Sequence, residues 1–439
     1  MSDGNGKKMK ASIFTLGCRL NQYETEVLSD QLVARGFEIL PWGSSGVDLG
    51  IVNTCAVTRL AEAKCRQIVR NFVRQNPQAF CVVTGCYAQT SAAALAKIPG
   101  VDLIVGNRDK LATDAWLPRD LQKLPFPRQT VVAMPKEDFK VPFVPVTQAI
   151  SLRANLKIQD GCDFMCSYCL IPKARGRARS RDFEDIVAEA RSLVARGVRE
   201  LVLTGVNIGT YRFGDKTIVE IVDALAAIPQ LARIRIGSIE PKTVPEGILD
   251  RMANPAHPLM PFLHLPIQSA CDRILKDMHR HYDVAEYFQF LNRAVSRVPG
   301  LTVGTDIMIA FPGETDAEFE MTCDNFMRQP FTFCHVFTYS ERPTTSAARR
   351  QDQVPVPVRQ RRSAILRGLS AKKRRAFMLK YIGQTQEVLF ENPVPGKNVT
   401  PAYTQNYLRV LVEGVHPANT LAQVELCGIE KDALTGKVR

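Results

Sequence analysis

Three cysteines stand close together in the segment GCDFMCSYCL, residues 161 to 170: Cys162, Cys166 and Cys169, with Tyr168 immediately before the last thiol. The C-x3-C-x2-C spacing can bring three sulfurs to one metal site, and three sulfurs fill only three of the four corners of an iron–sulfur cube. One iron is left open, and an open iron can bind a small molecule as well as pass electrons. A tetrahedral zinc site would need a fourth Cys or His nearby. No His lies between Arg153 and Arg199, and the nearest other cysteines are Cys86 and Cys271. A cluster is the leading reading, with zinc or buried structural thiols as the alternatives.

A second set of thiols follows from the strand pattern. The apolar segments SIFTLG (12 to 17), LGIVNT (49 to 54) and FCVVTG (80 to 85) read as buried parallel strands, followed by helical patterns at 20 to 35, 58 to 74 and 88 to 97. This alternation predicts a small doubly wound α/β domain over residues 1–122. Each strand ends at a cysteine, Cys18, Cys55 or Cys86. The carboxyl ends of parallel strands form the ligand crevice of such a sheet, so the three can converge there despite their separation in sequence. Cys65, Cys81 and Cys427 read as core thiols.

The elements that position the first set lie within residues 148–348. The segments LKIQ, LVLTG, IRIGS, FLHLP, VGTDIMIAF and CHVFTYS each read as a strand before a helix, which predicts a partial, open-sided (β/α)6 barrel. The chemistry of such barrels lies at the carboxyl ends of the strands. Thr204, Gly205, Ser238, Glu240, His264, Gln268, Thr305 and Asp306 fall there, either as ligand contacts or as satisfied polar groups at strand ends.

The net charge of +13 is concentrated. Between Arg349 and Lys380 stand eleven basic residues and one acid, Asp352. This stretch, residues 349–380, reads as a linker and then a helix, RRSAILRGLSAKKRRAFMLK, with Ile365, Leu366, Leu369 and Phe377 on its apolar face. Arg361, Arg362, Lys372, Lys373, Arg374 and Arg375 would then project toward a polyanion, nucleic acid before a membrane surface because the helix carries little bulky apolar area. A solvated surface helix is the bland alternative. Residues 381–439 contain QEVLFE, YLRVLVEG and QVELCGIE, whose apolar–polar alternation predicts a small antiparallel β-barrel.

Composition agrees with a soluble globular protein of two to four domains: 439 residues, 45% apolar and 23% charged. No apolar run approaches the ~18 residues of a membrane span, and the start MSDGNGKKMK is polar, which leads us to expect the cytoplasm and no membrane partner. The twelve cysteines are accordingly read as reduced.

The blocks TLGCRLNQYETE, NTCAVT, VTGCYAQ and GCDFMCSYCLIPKARGRARSR resemble the radical S-adenosylmethionine (SAM) methylthiotransferase family, and within it the branch acting on threonylcarbamoyladenosine in tRNA. LVLTGVNIGTY, IRIGSIEP, FLHLPIQSACD, TDIMIAFPGET and FTYSERPTTSAA extend the resemblance through nearly the whole chain. It implies two [4Fe-4S] clusters, one on Cys162, Cys166 and Cys169 whose open iron chelates SAM, the other on Cys18, Cys55 and Cys86 as the sulfur donor. It further implies SAM contacts at Tyr168, Thr204, Gly205, Ser238, Glu240 and Gln268. The C-terminal barrel resembles the RNA-binding TRAM domain.

The activity so implied is radical attachment of a methylthio group to C2 of the modified adenosine beside the anticodon. Its partners would be the tRNA anticodon stem-loop and a flavodoxin- or ferredoxin-like electron donor. Alternative substrates are isopentenyladenosine in tRNA and an aspartate of a ribosomal protein. A cobalamin-dependent radical enzyme would want a D-x-H-x-x-G loop, which is absent, and a non-catalytic RNA-binding scaffold would need no clusters. The chain departs from the family pattern at Ala310 and Thr344, where Gly is usual, and at Ala270-Cys271, which replaces Gly-Ser.

Overall fold

A computed structural model describes residues 8–144 and 153–439 of the chain. The first residues of the polar start, and residue 148, where the barrel domain is expected to begin, lie outside the described residues. The N-terminal region is a six-stranded, all-parallel sheet in the order β2-β1-β3-β4-β5-β6. These strands are β1 (Lys10–Thr15), β2 (Glu38–Ile39), β3 (Leu49–Thr54), β4 (Phe80–Gly85), β5 (Leu103–Val105) and β6 (Arg128–Thr130). Helix α1 (Arg19–Ala34) follows β1, α2 (Arg59–Gln75) follows β3 and α3 (Cys86–Ala96) follows β4.

Both faces of β3 and β4 are buried, as crossover helices on each side require. Ile51, Val82 and Leu103 pack with Leu28 and Leu32 of α1 on one face, while Val52, Val83 and Ile104 pack with Val69 and Phe72 of α2 on the other. The sheet is thus doubly wound, with its order reversing at β1 and β3.

The central region contains six parallel strands, Arg153–Lys157, Glu200–Thr204, Arg233–Ile236, Phe262–His264, Thr302–Ile309 and Phe333–Thr338. They form two three-stranded parallel sheets, joined between the third and fourth strands by isolated bridges at Ile234–Leu259 and Ser238–His264. The arc is the open (β/α)6 arrangement, with one continuous core running beneath its helices.

A 24-residue helix, Val356–Leu379, then leads to a closed five-stranded barrel. Four of its five pairings are antiparallel; Arg409–Glu413 and Ala433–Val438 close it in parallel. Cys427, expected in the core, is exposed, because the register of the strand Leu421–Glu430 shifts between Leu426 and Gly428 and the intervening residue turns outward. No helix among the described residues is long and apolar enough to cross a membrane.

Candidate functional site

The carboxyl ends of β1, β3 and β4 and of the central arc face one another across a single cavity of about 360 Å³. Cys18 and Cys86 line it from the N-terminal sheet; Cys162, Cys166 and Cys169 line it from the loop after the first barrel strand. Cys55 is 8% exposed and sits directly below, where a Cβ on Gly17 would come within 3.3 Å of its own. Gly85, the last residue of β4, has φ +95°, and a Cβ there would lie 2.5 Å from the Thr54 backbone. The close approach of two strand ends therefore demands glycine, and it brings Cys55 and Cys86 side by side.

The donor chemistry fits iron–sulfur clusters. Cys18 stands at the N-cap of α1 and Cys86 opens α3, so two of the sulfurs are carried on helix starts at the carboxyl edge of the sheet. The peptide N–H groups of Phe164 and Ile171 donate to the sulfurs of Cys162 and Cys169 at 3.4 Å. Burial pushes the Cys55 thiol up to about 12, with Cys86 and Cys18 adding to the rise, and it pushes Cys162 to about 11. Metal loading must therefore displace protons from these sulfurs.

Of the six residues expected to touch SAM, Tyr168, Gly205, Ser238, Glu240 and Gln268 line the same cavity and Thr204 does not. Tyr168 lines it and packs edge-on against Phe311, with ring centroids 6.4 Å apart. Gly205 lines it where a Cβ would meet Ile208 at 2.7 Å, while the adjacent Thr204 is buried with no hydrogen-bond partner for its hydroxyl among the described residues. Ser238 meets Nδ1 of His264 at 2.9 Å, and Nε2 of that ring lies 3.1 Å from Asp306. Gln268 lines the cavity in the left-handed region, φ +66°.

Glu240 pairs with Arg280, a residue that sequence reasoning missed. Arg280 also donates to the Cys166 sulfur at 3.3 Å and to the Tyr282 hydroxyl at 2.9 Å. No local signal marks it, since Glu240 and Cys166 come from distant loops. Arg175 was likewise unassigned. It donates to Asn21 at 2.6 Å and to Glu24 at 2.9 Å, tying the loop after Cys169 to the helix after Cys18. Glu24 did carry a signal, for it falls on the apolar stripe of α1 with Leu20, Val27 and Leu28.

The basic helix corrects part of the sequence reading. Arg362 does not project outward: it is 3% exposed and pairs with Glu314 at 2.7 Å and Asp316 at 2.8 Å. Lys373 donates to the backbone carbonyls of Met327 and Gln329, and Arg374 lies over the Phe333 ring. Packing of the helix against the strand Phe333–Thr338 leaves Lys373 and Arg374 half-buried and Ile365 46% exposed. Lys372 and Arg375 face solvent, and Arg361 pairs with Asp316 at the surface.

Residues 156–326 match the Radical SAM superfamily model, and residues 10–106 match Uncharacterized protein family UPF0004. The chain is 35% identical to a threonylcarbamoyladenosine tRNA methylthiotransferase of Bacillus subtilis, the alignment covering 91% of this chain and 89% of the relative. It is 33% identical to a tRNA-2-methylthio-N(6)-dimethylallyladenosine synthase of Endomicrobium trichonymphae, covering 92% and 94%. Among solved structures, the radical SAM methyltransferase TsrM of Kitasatospora setae, determined with cobalamin and a [4Fe-4S] cluster, aligns with a TM-score of 0.56 and 18% identity over 78% of this chain and 77% of that one. That likeness concerns the fold.

Proposed function

The chain belongs to the tRNA methylthiotransferases built on the radical SAM barrel, and we propose that it converts N6-threonylcarbamoyladenosine beside the anticodon to its 2-methylthio derivative. The observation that carries this reading is the single cavity in which thiols from two separate folds meet. A radical generator alone needs one such set; insertion of sulfur needs a second source within reach. When bound, a [4Fe-4S] cluster with SAM supplies the radical, and a second cluster on Cys18, Cys55 and Cys86 supplies the sulfur.

The protein's part is placement and exclusion of water. Arg280 fixes Glu240 and Cys166 relative to one another, so the loop that offers sulfur and the strand end that offers a carboxylate stay in register. Leu170, Ile171, Met308 and Phe337 give the cavity wall an apolar character that keeps solvent from a reactive carbon. The base must leave its stack to enter, a displacement that is less costly in a single-stranded loop than in a duplex. A flavodoxin- or ferredoxin-like protein is the proposed electron donor, and the cytoplasm the proposed location.

Anaerobic iron and sulfide analysis of the purified protein should give about eight irons per chain; about four would remove the proposed sulfur-donor cluster. Mass spectrometry of tRNA nucleosides from cells lacking the protein should show loss of methylthio-threonylcarbamoyladenosine. Undiminished methylthio-threonylcarbamoyladenosine, with loss of the isopentenyl counterpart instead, would assign the chain to the other substrate.

A further inference from the structure

The surface expected to meet RNA lies largely at the wrong end of the molecule for the reaction. Arg153, Glu200 and Arg233 open the first three barrel strands, and the C-terminal barrel docks on them: Arg153 pairs with Glu391 at 2.5 Å, and Arg233 donates to the Tyr403 carbonyl at 2.8 Å. That is the amino end of the strands, whereas the cavity opens at their carboxyl end. Even a five-residue strand such as Glu200–Thr204 separates the two by about 17 Å. An RNA loop whose base enters the cavity therefore needs a cationic surface nearer the mouth.

Helix α2 provides one. At about 100° per residue, Arg59, Arg66, Arg70 and Arg74 fall within an arc of roughly 80°, and they extend over about 22 Å of helix. Cys65, Val69 and Phe72 occupy the buried side; Arg66, at the edge of the stripe, donates to the Tyr87 hydroxyl at 2.7 Å, while Arg70 and Arg74 are turned away from the core. The sole acid of α2 is Glu62, and its carboxylate is occupied by Arg342 of the central domain. No carboxylate of the helix itself is left to neutralise the stripe.

The stripe begins at the site. Val57 and Thr58, just before α2, line the cavity with Cys18 and Cys86. Arg59 is held there, its N–H donating to Ser340 and its guanidinium pairing with Glu341 at 3.1 Å. Beside it, Leu60 is 79% exposed and Val57 56% exposed, apolar surface at a cavity mouth where an unstacked base can rest. Arg70 and Arg74 lie farther out and are exposed.

We propose that α2 is a second RNA-binding surface, one that tracks the phosphates of the strand leading to the modified adenosine. This inference rests on the tRNA reading above. Each phosphate contact along the helix releases condensed counterions.

Binding of a fluorescent anticodon stem-loop RNA carrying threonylcarbamoyladenosine tests it, with the cluster-loaded protein and with its Arg70→Glu/Arg74→Glu variant. We expect Kd at ~0.1 M salt to rise about 10- to 100-fold and the slope of log affinity against log salt to become shallower by about 1–2. RNA-independent SAM cleavage and the circular dichroism spectrum should not change, because neither arginine touches the cavity. The milder Arg70→Gln/Arg74→Gln pair should fall between. Unchanged Kd and salt slope in the reversed variant would overturn the inference while leaving the proposed activity intact. Failure of the wild-type protein itself to bind the stem-loop would instead overturn the tRNA reading and this inference with it.

Discussion

Arg280 serves three acceptors with one planar group: the Glu240 carboxylate, the Cys166 sulfur and the Tyr282 hydroxyl, whose own proton goes to the Pro266 carbonyl at 2.7 Å. A lysine could keep the charge but not the fork. Arg280→Lys should therefore retain iron, since all three cysteines remain, while SAM cleavage falls about 10- to 100-fold through loss of the Glu240 position; 5′-deoxyadenosine release and iron content read the two separately. Equal loss of iron and cleavage would assign Arg280 to building the cluster site rather than to ordering it. At this scale the cysteines were legible because spacing and strand ends are local properties. Arg280 was not, because Glu240 and Cys166 lie 40 and 114 residues away. Ala310 shows the converse: it adopts φ +59°, so the glycine usual in the family pattern reflects a left-handed turn, which alanine adopts at a cost of about 1 kcal/mol.

Helix Asp316–Arg328 begins with a capping box in which Glu318 reaches back to the Thr315 N–H at 2.9 Å. The same carboxylate receives Arg273 at 2.6 Å, joining this helix to Asp272–Asp277. The Arg273 hydrogen bonds, aided by Thr315, draw Glu318 down to about 2. A carboxyl whose folded pKa lies below its unfolded one contributes stability that is present above the unfolded value, near 4.3, and is lost as pH falls toward 2. Discounted for partial exposure, the contribution is about 1–2 kcal/mol. Glu318→Gln should lower stability by that amount at pH 6 and leave it unchanged near pH 2, as chemical unfolding at the two pH values can show; a pH-independent deficit would mean that packing, not charge, is lost. Element types were readable from alternation and capping signals. The orientation of the basic helix was not, because Arg362 is pulled inward by Glu314 and Asp316, acids that belong to another helix–strand unit and leave no trace in the helix's own periodicity.

The two halves of the cavity are held together by a buried ionic cluster. Glu24 of α1 is 0% exposed and receives Arg175 at 2.9 Å, Lys157 at 3.1 Å and Lys110; Asp160 receives Lys157 at 2.7 Å and Arg175 at 3.1 Å. Asn107 extends the cluster, accepting from Lys110 at 2.8 Å and donating to the Ala174 carbonyl at 2.7 Å. Glu24, Lys157, Asp160 and Arg175 lie close in sequence to a cysteine, Lys110 and Asn107 do not, and the pairing joins two independently patterned folds, which is why neither pattern foretold how they dock. With Arg179, 3.6 Å from Asp160, four cations face two carboxylates here, so Glu24→Gln would leave them opposed by one. Removing a partner from a buried ion group costs about 3–5 kcal/mol, and the loss should fall on the docking of the two domains rather than on either core. Hydrogen exchange on the metal-free protein reads this directly: in Glu24→Gln, amides around 107–110, 157–160 and 174–175 should exchange at least tenfold faster, while β3 and β4, flanked on both faces, keep their protection. Uniform acceleration throughout the N-terminal sheet would show that Glu24 stabilises its own domain, and unchanged exchange at the junction would show that apolar packing alone holds the two thiol sets in register.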